Sequence, residues 1–198
     1  MNQIMQEVGI IIKSAREIAI MREAGRIVAA VIEALTKEVK PGVTTAELED
    51  IAVREFKRRG AIASFKGYRG FPASICTSVN EEVVHGIPGK RVLNEGDIIS
   101  LDVGAMLNGF HADAAVTLAV GKINPEARKL IETTSDSLKA GIAAAKSGVR
   151  LGDVSVAIQS YAESRGFSVV REYVGHGIGR DLHEDPQVPN FGVAGEGL

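Results

Sequence analysis

The chain has 198 residues, of which 45% are hydrophobic and 24% charged, with a formal net charge of −2. This length and apolar content support one domain with a substantial core and exclude a disordered chain. The balanced charge gives no general attraction to nucleic acid or to an acidic membrane surface.

The N-terminal stretch MNQIMQEVGIIIK has no basic segment before its short apolar run. It makes a poor secretion signal, and no later stretch is long enough to span a membrane. The single cysteine, Cys76, excludes an intrachain disulfide and points to a reducing compartment. A cytoplasmic location is expected.

Ser14 and Glu17 have the spacing of a capping box, and Ile18, Met21, Ile27, Val28, Val31, Ile32 and Leu35 then recur at helical spacing. Pro41-Gly42 ends this helix. A second helix is predicted from near Thr44, again with Glu47 three residues on, with Leu48, Ile51 and Phe56 inward and a stop at Gly60. A loop follows with Phe65, Tyr68 and Phe71 among glycines, then a short strand over Ser74 to Val79.

The stretch Asp97 to Val120 reads as a hairpin turning at Leu107-Asn108-Gly109. Ile99, Leu101 and Val103 alternate with polar or small residues before the turn. Phe110, Ala112, Ala114, Val116 and Leu118 do so after it. Matching the apolar faces puts Asp102 and Asp113 together on the other face, as direct or diagonal cross-strand neighbours. Two like charges there require a shared proton, a bound cation or solvation. The neighbours Ser100, Gly104, Ala115 and Thr117 are small and allow close approach, which suits a hard or borderline cation with oxygen ligands.

A third helix is predicted from Asn124-Pro125 to about Lys146, a fourth over about Leu151 to Arg165, and a strand over Phe167 to Val174. The chain then runs through Gly175-His176-Gly177 into a Pro- and Gly-rich tail read as loop. The segments Lys40 to Gly60 and Lys146 to Gly166 repeat at an offset of 106 residues, and each half carries a His-Gly pair, His85-Gly86 and His176-Gly177. The Asp-bearing hairpin follows only the first pair, so the second repeat is expected to be cut short at Leu198.

Of the four histidines, His176 lies between glycines that permit close approach, and with Asp102 and Asp113 it would complete a mixed N/O metal site. His85 and His183 fall at strand or loop ends, where substrate contacts tend to lie. His111 is left as an edge or supporting residue. GHGIG is not a phosphate loop, because no helix N-terminus follows. HEDPQ is not a zincin motif. Cys76 lies in a strand without an obvious base partner and reads as a packed thiol rather than a nucleophile.

The stretches GYRGFPASICTSVNEEVVHGIPG, GDIISLDVG with GFHADAA, and VVREYVGHGIGRDLHEDPQVPNF resemble the type I methionine aminopeptidases of bacterial form. With the N-terminal helices, the resemblance covers nearly the whole chain. It implies an α+β pita-bread fold: a single metallopeptidase domain over 1–198, with a first pseudo-symmetric half at about 10–120 and a second from about 121. By resemblance, Asp102 would chelate one metal, Asp113 bridge two and His176 ligate the other. His85 and His183 would be catalytic, contacting the scissile amide and its carbonyl. Phe65, Tyr68, Phe71, Cys76 and Leu182 would line the methionine pocket.

The reaction implied is removal of the initiator methionine from nascent polypeptides by a bridging water that two divalent ions activate. The ions would be Co, Mn, Fe or Zn. The resemblance also implies a monomer that meets peptide N-termini, with the ribosome as a further partner and no nucleic acid or membrane. Two further glutamate ligands are expected beyond residue 198, so a chain ending there would hold three of five protein ligands and be inactive alone. Two other readings stand beside this one: an inactive binding protein of the same fold, and a related peptidase cleaving before proline.

Overall fold

The structure, a computed structural model, describes residues 9–198. The portion of the secretion-signal reading that falls on residues 1–8 lies outside the described residues. The chain divides into two compact units. One comprises Ile12–Asn124 with Ile178–Leu182, and the other comprises Pro125–Gly177 with His183–Leu198 and residues 9–11.

The first unit opens with α1 (Ala15–Glu38) and α2 (Thr45–Arg58). Both begin at capping boxes, as their sequences predict. The Ser14 N–H donates to Glu17 at 2.9 Å, and the Thr44 N–H donates to Glu47 at 2.7 Å. Each side chain satisfies amides that the first helical turn leaves unpaired. Four strands follow: β1 (Ile62–Ala63), β2 (Ile75–Val79), β3 (Ile98–Leu107) and β4 (Phe110–Ala119). The central β3 pairs antiparallel with β4 along one edge and with β1 and β2 along the other.

The β3–β4 turn is two residues, Asn108 (φ 49°) and Gly109 (φ 78°). Both central positions lie in the left-handed region, the condition for a tight hairpin turn that matches strand twist. Leu107 therefore pairs with Phe110, which fixes every pair above it. Ile99, Leu101, Val103 and Ala105 are fully buried and join Val31, Leu35, Leu48 and Phe56 of the two helices in the main core. The opposite sheet face carries Ser100, Asp102 and Gly104.

The second unit contains α3 (Pro125–Ala144), α4 (Leu151–Glu163), β5 (Gly175–Gly177) and β6 (Glu184–Val188). The two helices approach closely at Gly141, where an added Cβ would lie 2.6 Å from Ile158 Cγ1. The start of α4 is closed by the last residues of the chain. The Leu151 and Gly152 N–H groups donate to the carbonyls of Leu198 and Glu196 at 2.9 and 3.0 Å. Helices α2 and α4 begin at Thr45 and Leu151, the same 106-residue offset as the sequence repeat.

Two expectations fail in this unit. Residues 167–174 form no strand, and the tail read as loop contains β6, which pairs with β5 instead. Apolar and β-branched residues favour a strand, but a strand also needs a partner for its backbone hydrogen bonds. Among the described residues no strand lies beside 167–174. The 3-residue β5 begins only at Gly175, where β6 is within reach.

Candidate functional site

The β3–β4 register pairs Asp102 with Ala115 and Gly104 with Asp113. The two aspartates are therefore diagonal neighbours on one face, a relation that spans about 7–8 Å between Cα atoms and somewhat less between Cβ atoms. Both are half-buried. Beside them, Ser100 Oγ and Thr117 Oγ1 share a hydrogen bond of 2.8 Å. The face thus presents two carboxylates held on rigid strands, flanked by hydroxyls and by Gly104 and Ala115. This all-oxygen donor set fits a divalent cation.

On the neighbouring strand, Cys76 stands directly opposite Asp102. Cys76 also belongs to a small apolar cluster with Phe65 and Leu182, against which Tyr68, Phe71 and Ile178 pack. The structure thus brings together the five residues that the resemblance gives as pocket-lining and adds Ile178. Ile178 was not singled out because it is one aliphatic residue among glycines, and its segment reaches this unit only through the fold. Burial pushes the Cys76 thiol up to about 12, and the carboxylates of Asp102 and Glu49 add to the rise. The group is a protonated packing thiol, not a nucleophile.

The segment Ile178–Leu182 is fastened to this unit at three points. Gly179 O accepts from the His111 N–H at 2.7 Å. The Arg180 guanidinium donates to Glu17 at 3.0 Å and lies 4.5 Å from the Phe110 ring centroid. Leu182 is buried in the apolar cluster.

His85 lies on an exposed connection after β2, with φ 62°. The next residue, Gly86, runs against the strand. Its carbonyl accepts from Thr77 N–H at 2.8 Å, and its N–H donates to Ser78 Oγ at 3.1 Å. An added Cβ at Gly86 would strike the Thr77 carbonyl, so only glycine allows this approach.

In the second unit, His176 sits in β5 and His183 just before β6, with ring centroids 4.1 Å apart. His176 Nδ1 is 2.8 Å from the Gly177 carbonyl. A carbonyl only accepts, so Nδ1 carries the proton, and in the neutral ring Nε2 presents the lone pair, as a metal ligand requires. Gly177 is needed because a Cβ there would strike the Asp185 backbone, where the β5–β6 register shifts. The glycines around His176 therefore serve close approach of β6. Among the described residues no group of three or more His, Cys, Asp and Glu side chains is gathered as a metal cluster. The carboxylate pair stands on the hairpin, and His176 belongs to the other unit.

Two open clefts are lined by none of the aspartates, histidines or cluster residues named as candidates. One, of about 380 Å³, lies beside Glu38, Asp50 and Arg54, and the other, of about 390 Å³, lies along α4 and residues 185–198. No helix among the described residues is long and apolar enough to cross a membrane.

Residues 19–197 match the model of Metallopeptidase family M24. The chain is 60% identical over 188 residues to methionine aminopeptidase 1 of Bacillus subtilis, covering 95% of this chain and 76% of that protein. The crystal structure of methionine aminopeptidase from Thermotoga maritima superposes with a TM-score of 0.94 at 47% identity, over 96% of this chain and 76% of that one. Prolidase from Pyrococcus furiosus, at 23% identity and a TM-score of 0.80 over 93% of this chain and 53% of its own, shares the fold.

Proposed function

Since the chain belongs to metallopeptidase family M24, we propose that it is a divalent-metal-dependent aminopeptidase that removes the initiator methionine from nascent polypeptides. The observation that carries this reading is the pairing of Cys76 with Asp102. It sets an apolar cluster beside a carboxylate face. A methionine side chain lodged against Cys76 and Phe65 brings its own backbone toward that face. A flexible thioether suits an aromatic-lined cluster of this kind, and its burial excludes water from the neighbouring carboxylates.

Asp102, Asp113 and His176 are the proposed protein ligands, for two ions drawn from Co, Mn, Fe or Zn. When bound, such ions lower the pKa of water and polarise the scissile carbonyl. The remaining roles fall to the chain's own side chains. His85 would hydrogen-bond near the scissile amide and His183 at the carbonyl oxygen. A cytoplasmic monomer meeting peptide N-termini at the ribosome completes the proposal. Nothing in the site favours an inactive binding protein, and the likeness to a prolidase is one of fold.

Hydrolysis of Met-Ala-Ser and of Xaa-Pro peptides, with and without added Mn²⁺, tests the proposal. Methionine release that depends on the metal, without Xaa-Pro cleavage, is expected of a protein whose intact mass includes the two further ligands, and none of a chain ending at Leu198. Preference for Xaa-Pro peptides would overturn the substrate assignment.

A further inference from the structure

We propose that His111 is a positioning residue whose hydrogen bond to Ser64 holds the Phe65 ring in place and so fixes one wall of the apolar cluster. The inference rests on the reading of that cluster as the methionine pocket. It adds a residue that need not touch the substrate.

His111 pairs with Met106 across the hairpin and shares the sheet face of Asp113, two residues on. Its Nδ1 is 2.8 Å from Ser64 Oγ. Ser64 is buried, and its N–H donates to the Gly104 carbonyl at 2.9 Å. The Ser64-Phe65 pair is thus pinned twice, by its backbone to β3 and by its side chain to β4. Between the pins, the Phe65 ring lies directly against Gly104. An added Cβ there would be 2.6 Å from Phe65 Cε1 and 2.9 Å from Ser64 Cβ. Gly104 is the cross-strand partner of Asp113, so the ring is placed beside the carboxylate face as well as over the cluster.

The same residue also reaches the opposite wall. The His111 N–H donates to Gly179 O at 2.7 Å, three residues before the buried Leu182. The two links separate cleanly by mutation. The backbone link to Gly179 survives substitution at His111, whereas the side-chain link to Ser64 does not. Loss of the imidazole should therefore loosen the Phe65 wall and leave the Leu182 wall held.

The sole cysteine, Cys76, is 4% exposed within this cluster and reports on the Phe65 wall without requiring enzyme activity. The test is the rate of iodoacetamide alkylation of the native protein at pH 9, with urea unfolding followed in parallel. A hydrogen bond of ordinary net strength limits local opening by about 3- to 10-fold. His111→Ala and Ser64→Ala are expected to speed alkylation by about that factor, and the double variant by no more than either. His111→Asn, whose amide reaches the position of Nδ1, should return the rate to near wild type. Val31→Ala, in the main core, should lower stability without this acceleration.

Alkylation of His111→Ala at the wild-type rate would overturn the inference. So would failure of His111→Asn to rescue, or equal acceleration by Val31→Ala. Protection of wild-type Cys76 by L-methionine amide tests the pocket reading separately. Loss of that protection alone, with the variant pattern intact, overturns the pocket assignment and not the placement of Phe65 by His111.

Discussion

Asp102 and Asp113 are diagonal neighbours across the β3–β4 ladder, on the face opposite the main core. The two-residue turn at Asn108-Gly109 sets this relation, because slipping the pairing by one residue would send one aspartate into the apolar side. If the pair holds divalent metal, each carboxylate is a separate ligand. Outer-sphere partners of metal ligands typically cost 10- to 100-fold in affinity when lost, so a ligand itself should cost at least about 100-fold. Isothermal titration with Mn²⁺ should show losses of that size for both Asp102→Asn and Asp113→Asn. Affinity unchanged in both would remove the hairpin from the metal site.

The Cys76 thiol gives a prediction in the alkaline range. Burial and the Asp102 and Glu49 carboxylates raise it from an ordinary 9.0 to about 12. Folding therefore favours the protonated form, and that contribution is fully present below about pH 9 and lost as the pH climbs toward 12. Urea midpoints of the wild type should fall more steeply between pH 9 and 11 than those of Cys76→Ala. Parallel profiles would mean that the thiol is not held against ionisation.

Thr77 is 2% exposed, on the core side of β2 opposite Leu101, and its Oγ1 has no hydrogen-bond partner among the described residues. A buried hydroxyl without a partner is destabilising, whereas its backbone N–H, bonded to Gly86 O, is unaffected by substitution. Thr77→Val should raise the unfolding free energy by about 1 kcal/mol and Tm by about 2–4 °C. A lower Tm by calorimetry would show that the hydroxyl contributes to stability.

The parts of this protein that local chemistry controls are legible in its sequence. Ser14 with Glu17 and Thr44 with Glu47 announce helices that begin where predicted, and Asn108-Gly109 announces the hairpin. The alternation of β3 and β4 puts the aspartates on one face, but only the length of the turn decides between direct and diagonal pairing. What long-range pairing controls is less legible. Phe167 to Val174 is rich in valine and aromatic residues but has no strand beside it, and β6 holds a proline that hides it among loop residues. The Ser64–His111 bond joins residues 47 apart, and neither residue type signals the other. Ile178 enters the apolar cluster only because its segment docks along the edge of β4, through a backbone amide that any residue but proline at 111 would offer.

The most direct test of the account is methionine release from Met-Ala-Ser by the protein purified from its own cells, with intact mass recorded on the same sample and Mn²⁺ or Co²⁺ added after chelation. A protein of mass larger than 198 residues should release methionine only with the metal, and Asp113→Asn should abolish that release. No release with either metal by a protein of larger mass, release by one whose mass matches 198 residues, or release undiminished in Asp113→Asn would contradict this reading.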